Sequence, residues 1–171
     1  MKSHCRAQAR YNQWANARLY ADMEKLTSEQ LYAPSAANFG SILAIANHLV
    51  LADRLWMNRF TAQGDPVTTV DAVPYPALAG LAAARRVEED RTLAFADGLD
   101  PARLAENLVF TTTDGRPMDM PFALCLAHFH NHQTHHRGQI HGMLGAFGIK
   151  AQDIDLLGFE RQTGAYAAMR P

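Results

Sequence analysis

The segment from Pro121 to Phe147 constrains this chain more than any other. It is long and mostly apolar, and it reads as one helix, with Pro121 suited to its first turn and Gly145 and Gly148 ending it. Its central run, Phe129–His130–Asn131–His132–Gln133–Thr134–His135–His136–Arg137–Gly138–Gln139, holds four of the eight histidines. At about 100° per residue, His132 and His136 lie one turn apart along the axis and about 40° apart around it. Two imidazoles so placed can reach one metal ion, and the rest of the chain must then supply another ligand.

Three further segments have helical periodicity. In the first, Arg6 to Leu26, the residues Tyr11, Trp14, Ala15, Leu19 and Leu26 share one broad face. In the second, Gly40 to Thr61, Ile42, Ile45, Leu49, Ala52 and Trp56 form a stripe, with His48 on its flank, where it can point toward a neighbouring helix. The third, Ala77 to Asp97, is rich in alanine and has only a weak stripe. Between the third and fourth helices the pattern changes. Asn107 to Thr113 is β-branched and aromatic, Asp114–Gly115 is a strong hairpin-turn signal, and Arg116 to Met120 returns. Pro117 limits the return strand to an edge. The tail, Asp153 to Phe159, reads as a docked loop or short helix. The expected architecture is all-α: a four-helix bundle with a small β-hairpin inserted between helices three and four, in one domain over residues 1–171.

Composition narrows the function. Net charge is −1 with no basic stripe, so no nucleic-acid partner is expected. No apolar run approaches the length of a membrane span, and the first residues lack the apolar core of a signal peptide, so no membrane association and a cytoplasmic location are expected. Cys5 and Cys125 are far apart and form no C-x-x-C, so a disulfide framework is not indicated.

The histidines of the fourth helix fall on two sides. With His128 as origin, His132, His136 and His135 lie within about 80° of it, whereas His130 and His141 lie on the opposite side and are expected to be exposed or structural. Both His128/His132 and His132/His136 have the spacing of a ligand pair, and geometry leaves the choice open. All three cannot easily meet one ion, because the outer two are roughly 12 Å apart along the axis. The run His132–Gln133–Thr134–His135–His136 has the outline of H-E-x-x-H, but Gln133 stands where a metallopeptidase needs its glutamate base. Residues three before His48, His132 and His136 are Ile45, Phe129 and Gln133, which excludes the Glu-x-x-His pairs of a di-iron bundle. A three-histidine site would surround a dication with neutral ligands and keep a position open for water or a substrate thiolate. Such ligands suit zinc, nickel, iron or copper. They bind only when neutral, so metal release is expected below about pH 6. Asp53 lies far around its helix from His48 and reads as a structural partner; Arg137 and Gln139 read as helix-packing groups, and Tyr11 and Trp14 as core.

The chain resembles the DinB family (DinB/YfiT-like proteins) over nearly its whole length. The likeness rests on Tyr11–Asn12–Gln13–Trp14–Ala15–Asn16, Phe39–Gly40–Ser41, Asn47–His48–Leu49 and Ala52–Asp53–Arg54–Leu55–Trp56. It continues through Asn131 to Gln139 and Asp153 to Phe159. The resemblance implies a four-helix bundle that forms a homodimer and a divalent metal, zinc or nickel foremost, held by His48, His132 and His136. It implies an enzyme that transfers or adds a low-molecular-weight thiol to a small electrophilic substrate, or one that hydrolyses through metal-activated water. The alternative is a non-catalytic metal- or ligand-binding bundle.

Overall fold

A computed structural model describes residues 2–167. Its elements in chain order are α1 (Lys2–Met23), the short α2 (Ser28–Tyr32), α3 (Ile42–Thr61), α4 (Leu78–Gly98), a 3₁₀ turn (Pro101–Ala105), β1 (Asn107–Thr111), β2 (Pro117–Pro121), α5 (Phe122–Ala146) and α6 (Leu156–Thr163). The four long helices make the expected bundle. Helix α1 packs on α4 and α5, and α3 packs on the same two, so the α1–α4 edge lies opposite the α3–α5 edge. The hairpin also forms as expected, with Leu108 opposite Met120 and Phe110 opposite Met118. Pro117 is the first residue of the return strand, at the turn end opposite Thr111, a position where proline is tolerated. The tail resolves into helix: α6 docks on α1 through Phe159, which packs against Tyr11 and Trp14.

Local chemistry sets the helix starts. Thr27 and Gln30 form a reciprocal capping box at α2, and Ser41 accepts the Ala44 amide at the start of α3. Just before Ser41, Phe39 and Gly40 both have positive φ, 70° and 77°. That conformation is natural for Gly40 and strained for the bulky Phe39.

The core has two apolar halves with a polar layer between them. At one end Leu19, Met23, Ile45, Leu49, Leu81 and Ile140 pack together; at the other, Met57, Phe60, Leu108, Phe122, Leu126 and Phe129 do. Each fully buried side chain of this kind contributes about 1.5–3 kcal/mol. Between the halves, Arg85 pairs with Asp53 and lies 3.4 Å from Glu89, Asn16 donates to Glu89 at 2.9 Å, and Arg137 donates to Asn12. This layer explains the weak apolar stripe of α4, whose inward face carries Arg85, Glu88 and Glu89.

Candidate metal centre

Three histidines meet across the α3–α5 edge. One ring nitrogen from each of His48, His132 and His136 lies within 4.8 Å of the others, a grouping that could hold a metal ion. His48 and His136 are buried and His132 is half-buried. The helix supplies the His132–His136 relationship, with ring centroids 4.4 Å apart, and helix packing brings His48 to 4.6 Å from His136 and 5.0 Å from His132. His128, exposed, stays outside this group, with its ring 5.7 Å from that of His132. Of the two ligand pairs left open by spacing alone, the structure brings His132 and His136 together with His48.

Neighbouring acceptors set the tautomers. Nδ1 of His48 lies 3.0 Å from the carbonyl oxygen of Val70, and Nδ1 of His136 lies 2.7 Å from Oε1 of Gln139. Both oxygens only accept, so each Nδ1 must donate, which leaves each Nε2 with a free lone pair. Buttressing of this kind orients ligating imidazoles and raises their basicity. Phe39 stacks on His48 at 3.9 Å and meets His136 edge-on, so the strained turn before α3 clamps two of the three rings.

The His48 and His132 Nε2 atoms are 3.2 Å apart. Two lone pairs that close repel unless a proton or a cation lies between them. With the His48 proton held on Nδ1 by Val70, the proton of the metal-free form must sit on His132 Nε2. The same spacing suits a shared ion, since metal–nitrogen bonds of about 2.0–2.1 Å at tetrahedral angles place ligand nitrogens roughly 3.3–3.4 Å apart.

The electrostatics suit neutral ligands. Burial depresses the His48 and His136 imidazoles, and burial together with the neighbouring His136 and His48 rings pushes His132 down to about 3. All three are therefore neutral at pH 7. Desolvation moves the boundary for proton competition below the pH 6 expected from an ordinary imidazole. Neutral imidazoles suit a divalent late transition metal, so the donor set fits the expected cofactor.

The remaining histidines do other work. His141 donates from Nε2 to the Gln152 carbonyl at 3.0 Å and ties the tail to α5. His130 is half-buried, with Nε2 4.0 Å from the Cys5 sulfur. His135 is exposed. Asp53 turns into the polar layer as a structural partner, while Arg137 packs there beneath Tyr11. Gln139 does more than pack, because it is the acceptor for His136. Trp14 is half-buried rather than core and lines a cavity. The Val70 carbonyl leaves no signal in sequence, because any residue has one. Gln139 could have been found from its position three residues after His136, and Phe39 from the Phe39–Gly40–Ser41 run.

Beside the triad, Trp56 packs 5.1 Å from His128, and Arg59 lies over both Trp56 and Phe110. Helix α3 and the hairpin thus form an aromatic and cationic shelf next to the site. Among the described residues, no helix is long and apolar enough to cross a membrane.

The sequence matches the DinB family over residues 1–169. It is 25% identical over 160 residues to Protein DinB of Bacillus subtilis (strain 168), covering 85% of this chain and 87% of that protein. The fold resembles the crystal structure of a DinB-like protein from Bacillus cereus ATCC 10987, with a TM-score of 0.62 at 23% identity, covering 82% of this chain and 91% of the other.

Proposed function

The chain belongs to the DinB family, and from that premise we propose that His48, His132 and His136 hold one divalent metal, zinc or nickel foremost, at the centre of an enzyme site. The reaction is transfer or addition of a low-molecular-weight thiol to a small electrophile. The observation that supports this reading is the pair of buttressed rings, Nδ1–H of His48 on Val70 and Nδ1–H of His136 on Gln139, which leave Nε2 of each ring free to ligate within the three-histidine group. A bound metal would supply Lewis acidity that favours thiolate over thiol.

The chain's own residues do the rest. Phe39 covers one side of the triad and excludes water from it. The shelf of Trp56, Phe110 and Arg59 offers an apolar seat for the electrophile's body, with a cation at its edge. Asp53, the acid nearest His48 along α3, is committed to Arg85. Asp71, exposed in the loop just after Val70, is an acid whose charge does reach His48; thiol chemistry is put ahead of activated water on the family resemblance. The working unit is taken to be a homodimer, with light scattering at micromolar concentration as its check.

The test is a panel of cellular thiols against a model electrophile, with purified protein, chelator-treated protein and protein with metal restored. Turnover that disappears with chelator and returns with metal supports the reading. Stoichiometric metal with no turnover across the panel would replace it with the non-catalytic binding bundle.

A further inference from the structure

On the α1–α4 edge, opposite the histidine triad, a cavity of roughly 790 Å³ opens between α1, α4 and α6. That volume accommodates a drug-sized molecule. Its base carries two polar side chains that the fold leaves unsatisfied. Tyr20 is 8% exposed and its hydroxyl has no hydrogen-bond partner among the described residues. Arg85 is 2% exposed; one amino group serves Asp53 and Nε faces Glu89 at 3.4 Å, but Nη1 has no hydrogen-bond partner among the described residues. Buried polar groups in native proteins are nearly always paired, so two such orphans lining one cavity ask for an acceptor from outside the chain. Burial raises the Tyr20 phenol well above its usual range, so at neutral pH it is a donor, as the guanidinium is.

The walls restrict what brings that acceptor. Trp14 and Phe159, in edge contact at 5.6 Å, form an aromatic side, and Ala17, Ala21 and Ala82 leave depth by being small. Arg10 and Arg86 are exposed on the lining and offset its carboxylates, Glu24 and Glu89, while the charge of Arg85 is matched by Asp53. Arg18 stacks on Trp14 at 4.2 Å and holds that indole in place.

The geometry points to a second ligand site, separate from the metal centre, for a small organic acid with an aromatic body. Its anionic oxygens accept from Tyr20 and Arg85 at the base, and its ring lies against Trp14 and Phe159. A carboxylate and a phosphate present the same acceptor chemistry, so the head group is decided by comparison of probes.

The experiment titrates metal-loaded protein with 4-phenylbutyrate, phenyl phosphate and the neutral benzyl alcohol, followed by amide NMR shifts. Saturable shifts are expected for α1 and α4 residues around the cavity, stronger with an acid than with the alcohol, and the tighter acid identifies the head group. Tyr20→Phe removes a hydroxyl that makes no hydrogen bond to any of the described residues. It should keep the urea midpoint while weakening the acid by about five- to tenfold, the equivalent of one lost hydrogen bond. Ala17→Phe, at an exposed position on the lining, should abolish binding by filling the space. The proposal is overturned if no probe saturates by about 10 mM, a concentration beyond any useful affinity. It is also overturned if Tyr20→Phe and Ala17→Phe bind as wild type does, or if the shifts centre on His132 and His136. Concentration-dependent protection of the cavity residues without probe would put a second copy there instead, and would equally overturn it.

Discussion

Replacing Gln139 tests whether the triad is a metal site, without touching a ligand. Gln139 Oε1 is the acceptor for His136 Nδ1–H at 2.7 Å, and His136 is only 5% exposed. In Gln139→Ala the donor loses its partner in a largely dry setting. A lost hydrogen bond costs about 0.5–1.5 kcal/mol, and a buried donor left unsatisfied about 1–3 kcal/mol. At about 1.4 kcal/mol per decade, metal affinity should fall roughly 10- to 100-fold, the range seen for outer-shell partners of metal-bound histidine. Gln139→Glu should act in the opposite direction. A carboxylate is a stronger acceptor, makes the imidazole more basic, and adds negative charge near a dication, so affinity should exceed that of wild type. The assay is zinc competition against a chromophoric chelator at pH 7, with urea denaturation of the metal-free proteins to separate site effects from folding. If Gln139→Ala binds within twofold of wild type, or Gln139→Glu binds more weakly than Gln139→Ala, the tautomer argument is wrong.

Alanine at His48, His132 or His136 should reduce metal content to near background by elemental analysis, while His128→Ala and His135→Ala should retain it; loss in His128→Ala with retention in His136→Ala would reverse the ligand assignment. Burial holds His132 at about 3 in the folded chain against roughly 6.5 when unfolded. The unfolded state therefore takes up the proton first, and stripped protein should lose stability as pH falls from about 6.5 toward 3. Carboxylates titrate over much of that range, so the contribution is read as the difference between wild type and His132→Ala, and a pH-independent difference counts against it. Because all three imidazoles are neutral at pH 7, they should release few protons on zinc uptake, and total release should stay below about the one proton that a zinc-bound water can supply, measured by calorimetry in buffers of different ionisation enthalpy. Asp53→Asn should destabilise the bundle by about 3 kcal/mol in urea, near the low end for breaking a buried ion pair because Glu89 remains beside Arg85; folded protein should still bind metal in full.

The bundle and the hairpin were legible because they rest on local rules. Periodicity marked the four long helices, and Asp114–Gly115 placed the hairpin turn within the gap between β1 and β2. The first helix starts earlier than its stripe suggested, at Lys2, because its early turns bury small residues, Ala7 and Ala9, that carry little periodic signal. The His132–His136 pair was visible because a helix fixes i, i+4 geometry before any tertiary contact forms. The third member was not readable from spacing: the position of His48 relative to α5 depends on how two helices pack, and there family resemblance carried the expectation. The features that set the tautomers were least legible. Val70 contributes a backbone oxygen from an irregular loop, and the Phe39 contact depends on a left-handed backbone that a phenylalanine rarely adopts.

The polar layer at mid-bundle bears on how such a site stays assembled. Helices α3 and α5 each have two demands at nearly the same height: His48 and His132 face the outer edge, while Asp53, Gln133 and Arg137 face inward. An apolar interior at that level would let either helix rotate or slide by a fraction of a turn at little cost. Arg85 paired with Asp53, and Arg137 paired with Asn12, resist such slips because a shifted helix would leave a buried charge without its partner. The triad needs that registration, since a slide of one residue along α5 moves its ligands by about 1.5 Å and turns them by about 100°. Buried ion pairs are weak sources of net stability. In this bundle the consequence of the Arg85–Asp53 ion pair and the Arg137–Asn12 hydrogen bond is positional: one ties α3 to α4 and the other ties α5 to α1, in the register in which His48 meets both His132 and His136.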